Sequence, residues 1–345
     1  MRAARIHGAR DVRLHEEPRP AAGPGETLVR VEAVGICGSD LHWFEEGGIG
    51  GTHLARPLVP GHELAGRTED GRLVAVDPAV ACGRCLLCLE GHPNLCPGVR
   101  FAGYGSDDGA LREWMAWPDH ALVPLPAGFT AVDGAMLEPL GVAIHAVDLA
   151  HVRPGASVGV FGCGPIGLFC LQVARAAGAG RLVATDLASR AHRLDAARAI
   201  GAETFPADGS EGATIARAVP PFGLDVAIEA AGTNAAVDAA IEAVRPGARV
   251  VVAGISSAER TSFLASPARR KGLTIVLVRR MKHVYPRAIA LAVAGRVDLR
   301  SVVTHRFPLG EAVQAFESAA ARAGLKVVVE PSSPADRETP PRSAP

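Results

Sequence analysis

The sequence has no excess charge of either sign and no long apolar run, and both absences exclude classes of protein. Its 345 residues include 36 basic and 36 acidic side chains, with a pI near 7.2, so nothing attracts it to nucleic acid or to an anionic membrane. No apolar run reaches the ~20 residues that span a bilayer. Residues 1–18 lack the apolar core of a secretory signal. We therefore expect a cytoplasmic protein without nucleic-acid or membrane partners.

Lysine is scarce, because Lys271, Lys282 and Lys326 stand against 33 arginines. We interpret this imbalance as a bias of coding and not as a binding signal. At roughly 100–200 residues per domain, the length predicts two domains, each large enough for its own core.

The pattern of the chain changes near Pro154. Before it, short β segments broken by glycine and proline predict a β-rich region, with strands at 28–36, 72–78 and 120–126. After it, apolar strands alternate with helical segments, which is typical of βαβ units and a parallel sheet covered on both faces. The strands expected there lie at 157–162, 181–186, 224–230, 248–254 and 273–278.

Beyond residue 280 the pattern predicts a helix from Pro286 to Gly295, a second helix over 309–324 and a last strand over 326–330. Residues 331–345 are rich in proline and serine and lack apolar periodicity, so we expect a disordered tail.

A glycine-rich segment, Gly162–Gly167, has the form GxGxxG between a predicted strand and a predicted helix. Gly162 permits the tight turn, Gly164 lets the backbone approach a pyrophosphate, and Gly167 lets the helix pack on the strand. Pro165 is tolerated because the first helical turn leaves N–H groups unbonded. The segment predicts a dinucleotide site at the helix N-terminus, although such a motif alone is also compatible with an incidental glycine turn.

An acidic residue ends the second strand, which strengthens this interpretation. Asp186 follows the glycine segment by roughly twenty residues, as in dinucleotide-binding folds. A carboxylate there accepts both ribose hydroxyls and repels a 2′-phosphate, so NAD is favoured over NADP. Arg190 and Arg193 lie just beyond and offset part of that charge.

Four of the seven cysteines, Cys82, Cys85, Cys88 and Cys96, lie within fifteen residues. Four thiolates in one loop predict a closed tetrahedral structural zinc site. A pair of disulfides is disfavoured in a reducing compartment. An iron–sulfur cluster is suggested by CxxCxxC and by Pro97, but that motif has about three residues before the final cysteine, whereas this sequence has seven.

Other potential metal ligands are spread along the first half of the chain. Cys37 lies in GICGSDLH, His62 and Glu63 lie in VPGHELAG, and Glu138 begins EPLGVAIHA. Cysteine, histidine and carboxylate are ligands that zinc accepts, and a catalytic zinc keeps one position open. Each residue alone is more often a core or surface residue, and only their combination with the nucleotide segment predicts a catalytic metal site.

On these motifs the sequence resembles the zinc-dependent medium-chain alcohol dehydrogenases, especially the sorbitol (L-iditol), xylitol and threonine dehydrogenase branch. The motifs follow the family order from about residue 1 to residue 330. The resemblance implies an α/β protein with a β-rich GroES-like catalytic domain, 1–151 with 286–330, and a doubly wound Rossmann domain, 152–285. It also implies a homo-oligomer, either a dimer or a tetramer.

The resemblance also implies the ligands and the proton path of the catalytic zinc. Cys37, His62 and Glu63 match its ligands, while Glu138 matches a residue that holds the metal directly or through water. Ser39 matches the hydroxyl that takes the substrate proton, and His42 matches the histidine that passes the proton to solvent. Trp43 stands where sorbitol dehydrogenases often have a tyrosine that borders the substrate pocket.

For the dinucleotide, the resemblance implies that Ile166, Asp186 and Arg193 line NAD, and that Arg280 lies near the nicotinamide and the substrate. The segment after Asp186 is about two residues longer than usual, so Arg190 is an alternative to Arg193 at the adenosine ribose.

The expected function is transfer of a hydride from a secondary alcohol of a polyol or sugar-like substrate to NAD, giving a ketone. The cofactors implied are one catalytic zinc and one structural zinc per chain, and NAD. Oxidation of an amino alcohol, as by L-threonine 3-dehydrogenase, is an alternative that shares the same motifs. A zinc-containing module that binds NAD without catalysis is the alternative from another class.

Overall fold

The computed structural model describes residues 1–258 and 260–332. The chain divides into two compact units: an N-terminal unit, Met1–Glu138 with the chain from Leu299 onward, and a central unit, Pro139–Asp298. The boundaries thus differ from those expected at 151 and 286. A physical reason is that the helix containing Gly141 packs against the segment just before residue 285, since a Cβ at Gly141 would lie 2.5 Å from Met281 Sδ and 2.7 Å from Val284 Cγ2.

The elements are numbered in chain order. Those before residue 137 are β1 (Arg2–Gly8), β2 (Asp11–Glu16), β3 (Glu26–Gly35), α1 (Gly38–Glu46), β4 (Gly48–Ile49), β5 (Thr52–His53), β6 (Glu63–Thr68), β7 (Leu73–Val76), β8 (Ala79–Val80), α2 (Leu86–Leu89), β9 (Arg100–Phe101), β10 (Trp114–Pro118), β11 (Leu122–Pro124) and α3 (Ala131–Ala135). The next are α4 (Leu137–Ala150), β12 (Ser157–Phe161), α5 (Pro165–Ala176), β13 (Arg181–Asp186), α6 (Ala191–Ala199), β14 (Glu203–Pro206), α7 (Glu211–Ala218), β15 (Leu224–Glu229), α8 (Asn234–Ala243), β16 (Val244–Val252), α9 (Ala265–Lys271), β17 (Thr274–Leu277) and α10 (Tyr285–Val293). The last are β18 (Val303–Pro308), α11 (Ala312–Ala321) and β19 (Lys326–Glu330).

The N-terminal unit is built on a seven-stranded sheet with the order β11-β7-β6-β3-β19-β18, in which β10 also pairs with β3. β3 is the central strand because its buried valines and alanines suit a strand covered on both faces. Its register places Gly35 opposite Glu63 of β6 and opposite Val328 of β19. The end of β3 therefore brings together segments that are far apart in the sequence.

The helices α1 and α11 pack against each other beside this sheet. Phe44 of α1 and Phe316 of α11 are both buried, and their ring centroids lie 5.1 Å apart. This contact belongs to a continuous apolar core that includes Trp43, Leu64 and Trp117. The core fixes the helix that follows Cys37.

The central unit contains a six-stranded parallel sheet with the order β14-β13-β12-β15-β16-β17. This is the doubly wound order. Successive strands are added on one side of β12 as far as β14 and on its other side from β15 to β17, and the position between β12 and β15 is the usual one for a dinucleotide. The five expected strands are present, but β14 was missed. β14 is a short edge strand, Glu203–Pro206, without a fully buried residue, so it has no apolar run to reveal it.

The start of the expected disordered tail is ordered. Ser332 is buried, and its hydroxyl donates to the carbonyl oxygen of Val31 at 2.7 Å, because the chain continues from β19 along β3. The rest of that tail, 333–345, lies outside the described residues. In the described part of the chain, no helix is long and apolar enough to cross a membrane.

Candidate active site

The turn from β3 into α1 presents Cys37 at the N-cap of the helix. Asp40, three residues later, is buried, and its two carboxylate oxygens accept hydrogen bonds from the N–H groups of Cys37 at 2.9 Å and Gly61 at 3.1 Å. The oxygen bonded to Gly61 also lies 3.5 Å from Nδ1 of His62. Burial opposes the charged form of Asp40, but His62 and the two N–H groups lower the pKa of its carboxyl group below the ordinary value. Asp40 thus connects the two segments that carry Cys37 and His62.

The side chains of Cys37, His62 and Glu63 lie close together in the structure, although Cys37 is distant from the other two residues in the sequence. One ligand atom from each lies within 4.8 Å of those of the others, and His62 and Glu63 are buried. Gly35 makes room for the carboxylate, because a Cβ there would lie 2.0 Å from Oε2 of Glu63. One thiolate, one imidazole and one carboxylate are a donor set that fits a zinc ion with an open position.

A buried lysine completes the surroundings of Glu63, and no sequence motif predicted this role. Nζ of Lys326 donates to both carboxylate oxygens of Glu63 at 2.7 Å each and to the carbonyl oxygen of Ile36 at 3.1 Å. Burial opposes the ammonium form, but the negative charges of Glu63 and Cys37 raise the pKa of Lys326. The sequence showed only that Lys326 begins the expected strand over 326–330, and the pairing of that strand with β3 is known from the structure.

Glu138 lies near this cluster but is not one of the three residues whose ligand atoms lie within 4.8 Å of one another. It is the second residue of α4 and is buried. Burial raises the pKa of Glu138 to about 7, while His62 opposes that shift and Glu63 adds to it. Glu138 is therefore close enough to interact electrostatically with both residues.

The two residues expected to move the proton lie on α1. Oγ of Ser39 is 3.4 Å from Nε2 of His62, at the metal-ligand cluster. His42 lies one helical turn further along, where Nδ1 donates to Oε1 of Glu46 at 2.9 Å, and its side chain is 15% exposed. The helix therefore runs from the buried cluster toward solvent.

Aromatic residues border the same region. The ring of Phe101 lies 5.2 Å from that of His62, and the rings of Trp43 and Tyr104 meet edge to face at 5.8 Å. Trp43 is almost fully buried. Phe101 and Tyr104 were not singled out in the sequence, because isolated aromatic residues in a glycine-rich loop carry no pattern.

The four cysteines of the lobe, Cys82, Cys85, Cys88 and Cys96, also converge, with their Sγ atoms within 4.8 Å of one another. All are free thiols, so the disulfide alternative is absent from the described structure. Backbone N–H groups lower the pKa of Cys82 to about 6, which favours the thiolate that a metal needs. Four sulfurs without another ligand fit a closed zinc site.

The glycine segment of the central unit forms a tight loop between β12 and α5. Gly162 has φ of 107°, and a Cβ at that position would lie 2.6 Å from the nitrogen of Ala231. A Cβ at Gly167 would lie 1.9 Å from the carbonyl oxygen of Gly162. Among the described residues outside the adjacent backbone, the one atom within 4 Å of a Cβ at Gly164 is Nη1 of Arg193 at 3.7 Å, so this backbone is open to a ligand. Pro165 begins the helix, followed by Ile166 in its first turn.

Asp186 lies beside this loop, where its carboxylate accepts the N–H of Cys163 at 2.9 Å. Nη1 of Arg193 lies 3.8 Å from the same carboxylate oxygen, and both side chains are buried. Arg190 instead precedes α6 and is only partly buried. Arg280 follows the carboxyl end of β17, and the glycine loop follows the carboxyl end of β12, which is parallel to it. Its backbone is left-handed, with φ of 55°.

Two family models match the chain: the alcohol dehydrogenase GroES-like domain over residues 23–127 and the zinc-binding dehydrogenase over residues 165–294. Sorbitol dehydrogenase of Bacillus subtilis is 34% identical over 346 residues, covering 96% of this chain and 98% of that protein. The chain belongs to the zinc-dependent medium-chain alcohol dehydrogenases. Within this family it falls in the polyol dehydrogenase branch.

Two further comparisons agree with this membership. L-Idonate 5-dehydrogenase of Vitis vinifera is 33% identical, covering 92% of this chain and 91% of that protein. The crystal structure of an Escherichia coli oxidoreductase of unknown specificity superposes with a TM-score of 0.89 at 31% identity, covering 96% of this chain and 99% of that one. The predicted family, the α/β fold with GroES-like and Rossmann parts, and the use of zinc and NAD by this dehydrogenase are confirmed.

Proposed function

We propose that this dehydrogenase oxidises a secondary alcohol group of a polyol or sugar-like substrate to a ketone, with NAD as hydride acceptor. The observation that carries the proposal is the carboxylate-containing cluster of Cys37, His62 and Glu63, with Glu138 nearby. Carboxylates accept hydrogen bonds from hydroxyl groups, which suits a substrate with several of them. The similarity to sorbitol and L-idonate dehydrogenases supports the same substrate class.

We assign Cys37, His62 and Glu63 as ligands of the catalytic zinc, with Glu138 as an adjacent carboxylate, and the four lobe cysteines as ligands of the structural zinc. The chemistry that zinc supplies when bound is a fall in the pKa of an alcohol hydroxyl from about 16 to roughly 7. Asp40 orients His62 and the Cys37 turn, while Lys326 orients Glu63.

The proton of the substrate hydroxyl passes first to Ser39, whose oxygen lies beside His62. His42 then carries it outward. Its Nδ1–H is held by Glu46, so Nε2 is the nitrogen that accepts and releases the proton. An imidazole suits this role because its ordinary pKa, about 6.5, lies near neutral pH.

The central unit binds the dinucleotide. The open backbone at Gly164 and the N-terminus of α5 receive the pyrophosphate, with Gly162, Pro165, Ile166 and Gly167 shaping the loop. Asp186 accepts the adenosine ribose hydroxyls, which favours NAD over NADP. Arg193 is preferred to Arg190 as the neighbouring arginine, because it lies beside both Gly164 and Asp186. Arg280 serves the nicotinamide end.

We also propose a homo-oligomer that forms through the central unit. β17 is an edge strand of its sheet, and Leu277 at its end is 71% exposed. Ile255 and Leu264 are exposed as well. An open edge with exposed apolar residues is a site for pairing with another chain, and a second copy related by a two-fold axis satisfies both features. Size-exclusion chromatography with light scattering tests this, with Leu277→Lys expected to shift the mass toward the monomer.

A cytoplasmic location is proposed as well. It is supported by the seven side chains assigned above as metal ligands, five of them thiols, since thiols stay reduced in that compartment.

The test is NADH formation with polyols, inositols, aldonates, L-threonine and simple alcohols, with and without a chelator. Chelator-sensitive turnover of a polyol or aldonate is the expected result. If L-threonine outcompetes the polyols, the amino-alcohol alternative replaces the proposal. If a protein loaded with zinc and NAD turns over no alcohol, the proposed activity is wrong and the module without catalysis gains support.

A further inference from the structure

Glu229 is a fully buried carboxylate of the central unit that none of the roles above uses. It is the last residue of β15, which lies next to β12 at the point where the strand order reverses. Its Oε1 accepts hydrogen bonds from the N–H groups of Ala231 at 2.8 Å and Gly232 at 2.5 Å. Its carbonyl oxygen accepts from Ala253 at 2.8 Å and Gly254 at 3.1 Å. One residue therefore holds the turn 230–232 and also the segment that follows β16.

The turn 230–232 is approached closely by two glycines. On one side is Gly162 of the dinucleotide loop, where a Cβ would lie 2.6 Å from the nitrogen of Ala231. On the other side is Gly254, where a Cβ would lie 2.2 Å from the nitrogen of Gly232. Because backbone touches backbone on both sides, a shift of this turn displaces the first glycine of the dinucleotide loop.

The second oxygen of Glu229 has a different environment. Oε2 is buried and has no hydrogen-bond partner among the described residues. Glu229 lines a cavity of about 10 Å³ together with the polar residues Thr233, Asn234, Ser256 and Thr261 and with Val237 and Val252, which is room for about one water molecule. Burial raises the pKa of Glu229. We expect the polar groups of this cavity to tolerate an amide nitrogen in the position of Oε2.

We propose that Glu229 is a positioning residue for NAD: through Oε1 it holds the turn 230–232 against Gly162 and so fixes the loop that receives the pyrophosphate. Ala231 is exposed and Gly232 is half-buried. Loss of the acceptor leaves their two N–H groups without the bonds that hold the turn in place. The turn then relaxes, and the dinucleotide loop loses its support. This inference rests on the NAD site proposed above, and the titration of the unmodified protein with NADH tests that site separately.

The test compares Glu229→Met, which keeps the length but removes the acceptor, with Glu229→Gln, which keeps one carbonyl oxygen and places an amide nitrogen in the polar cavity. NADH binding is measured by fluorescence titration, alongside zinc content, thermal stability and the kinetic constants. We expect Glu229→Met to raise the Kd for NADH and the KM for NAD about tenfold, with zinc content and kcat at saturation nearly unchanged. Glu229→Gln is expected to bind NADH within about twofold of the unmodified protein.

Glu211 provides a matched control in the same unit. It is buried, and one carboxylate oxygen accepts from the N–H groups of Asp208 at 3.1 Å and Gly209 at 2.7 Å. It follows β14, which β13 separates from the strand of the glycine loop. Glu211→Met is expected to lower thermal stability without changing NADH binding.

Two results would overturn the proposal. One is unchanged NADH affinity in folded Glu229→Met, and the other is an equal loss of affinity in Glu211→Met. If Glu229→Met does not fold, Glu229→Asp replaces it, because the shorter carboxylate keeps its charge and withdraws from both N–H groups. Unchanged NADH affinity in Glu229→Asp also overturns the proposal.

Discussion

Replacing Lys326 with methionine should destabilise the metal-free protein far more than the zinc-loaded protein. All three N–H bonds of Lys326 are used, two by Glu63 and one by Ile36. Without them, the Glu63 carboxylate remains fully buried and has lost its cationic partner. Removal of one partner from a buried ion pair costs about 3–5 kcal/mol. For a unit of this size that corresponds to a fall in Tm of roughly 6–20 °C.

Zinc brings a positive charge to the same carboxylate, so it should restore part of the loss. The assay is thermal unfolding of the unmodified protein and Lys326→Met, each with a chelator and with excess zinc. We expect the stabilisation by zinc to be larger in the variant, because Glu63 has then lost the ammonium group that bonds to both of its oxygens. Lys326→Arg, which keeps the charge, should lie between the two.

Lys271 offers a matched control. Its Nζ also makes three hydrogen bonds, to the carbonyl oxygens of Ile241, Glu242 and Val244 at 2.7–3.0 Å. Among the described residues, however, no carboxylate accepts a hydrogen bond from it, although the Glu242 carboxylate is near enough to act on its pKa. Lys271→Met should be destabilised equally with and without zinc. The reasoning about Lys326 is refuted if its variant behaves in the same way as Lys271→Met, or if zinc stabilises it no more than the unmodified protein.

Three further predictions concern other residues. Cys37→Ser should abolish alcohol oxidation and leave Tm within a few degrees, and full activity in a zinc-loaded sample would contradict the proposed ligand set. Asp186→Ser should raise the KM for NAD and lower that for NADP, because the charge that repels a 2′-phosphate is gone; unchanged kinetics with both dinucleotides would remove Asp186 from the ribose site. Burial opposes ionisation of Asp133, but Arg300 and Thr130 lower the pKa of its carboxyl group below 3.8. The ionised Asp133 carboxylate therefore stabilises the fold above pH 3.8, and this stabilisation is lost as the pH falls through the lowered pKa. Unfolding by urea at pH 7 and at pH 3 should therefore show a smaller loss of stability in Asp133→Asn than in the unmodified protein, and equal losses would contradict this.

Features that depend on neighbouring residues could be predicted from the sequence. The glycine loop is one example, since strand, turn and helix follow one another within 157–176. The lobe of four cysteines is another, because all four cysteines lie within fifteen consecutive residues. Cys37 and the pair His62–Glu63 required the combination of motifs, and the pairing of β3 with β6 explains why they meet.

Features that depend on strand register over long distances could not be predicted. Lys326 lies 263 residues from Glu63, and only the pairing of β19 with β3 brings the two side chains together. The same pairing explains why Ser332 is ordered, although its segment has the composition of a tail. The boundaries of the compact units differ from the expected ones for a related reason, because α4 packs against the segment just before α10, and the sequence does not reveal this contact between distant segments.

The strand order of the N-terminal unit also determines when the residues of each proposed metal site are all present during synthesis. The lobe has all four sulfurs once residue 96 has left the ribosome, and metal binding by such a compact loop is coupled to its own folding. Glu63 must wait for β19, whose first residue supplies its buried cation. A chain that stops before residue 326 can therefore bind a metal at the proposed lobe site while Glu63, the proposed zinc ligand, has no ammonium partner. Zinc content alone would not distinguish such an incomplete product from an active enzyme.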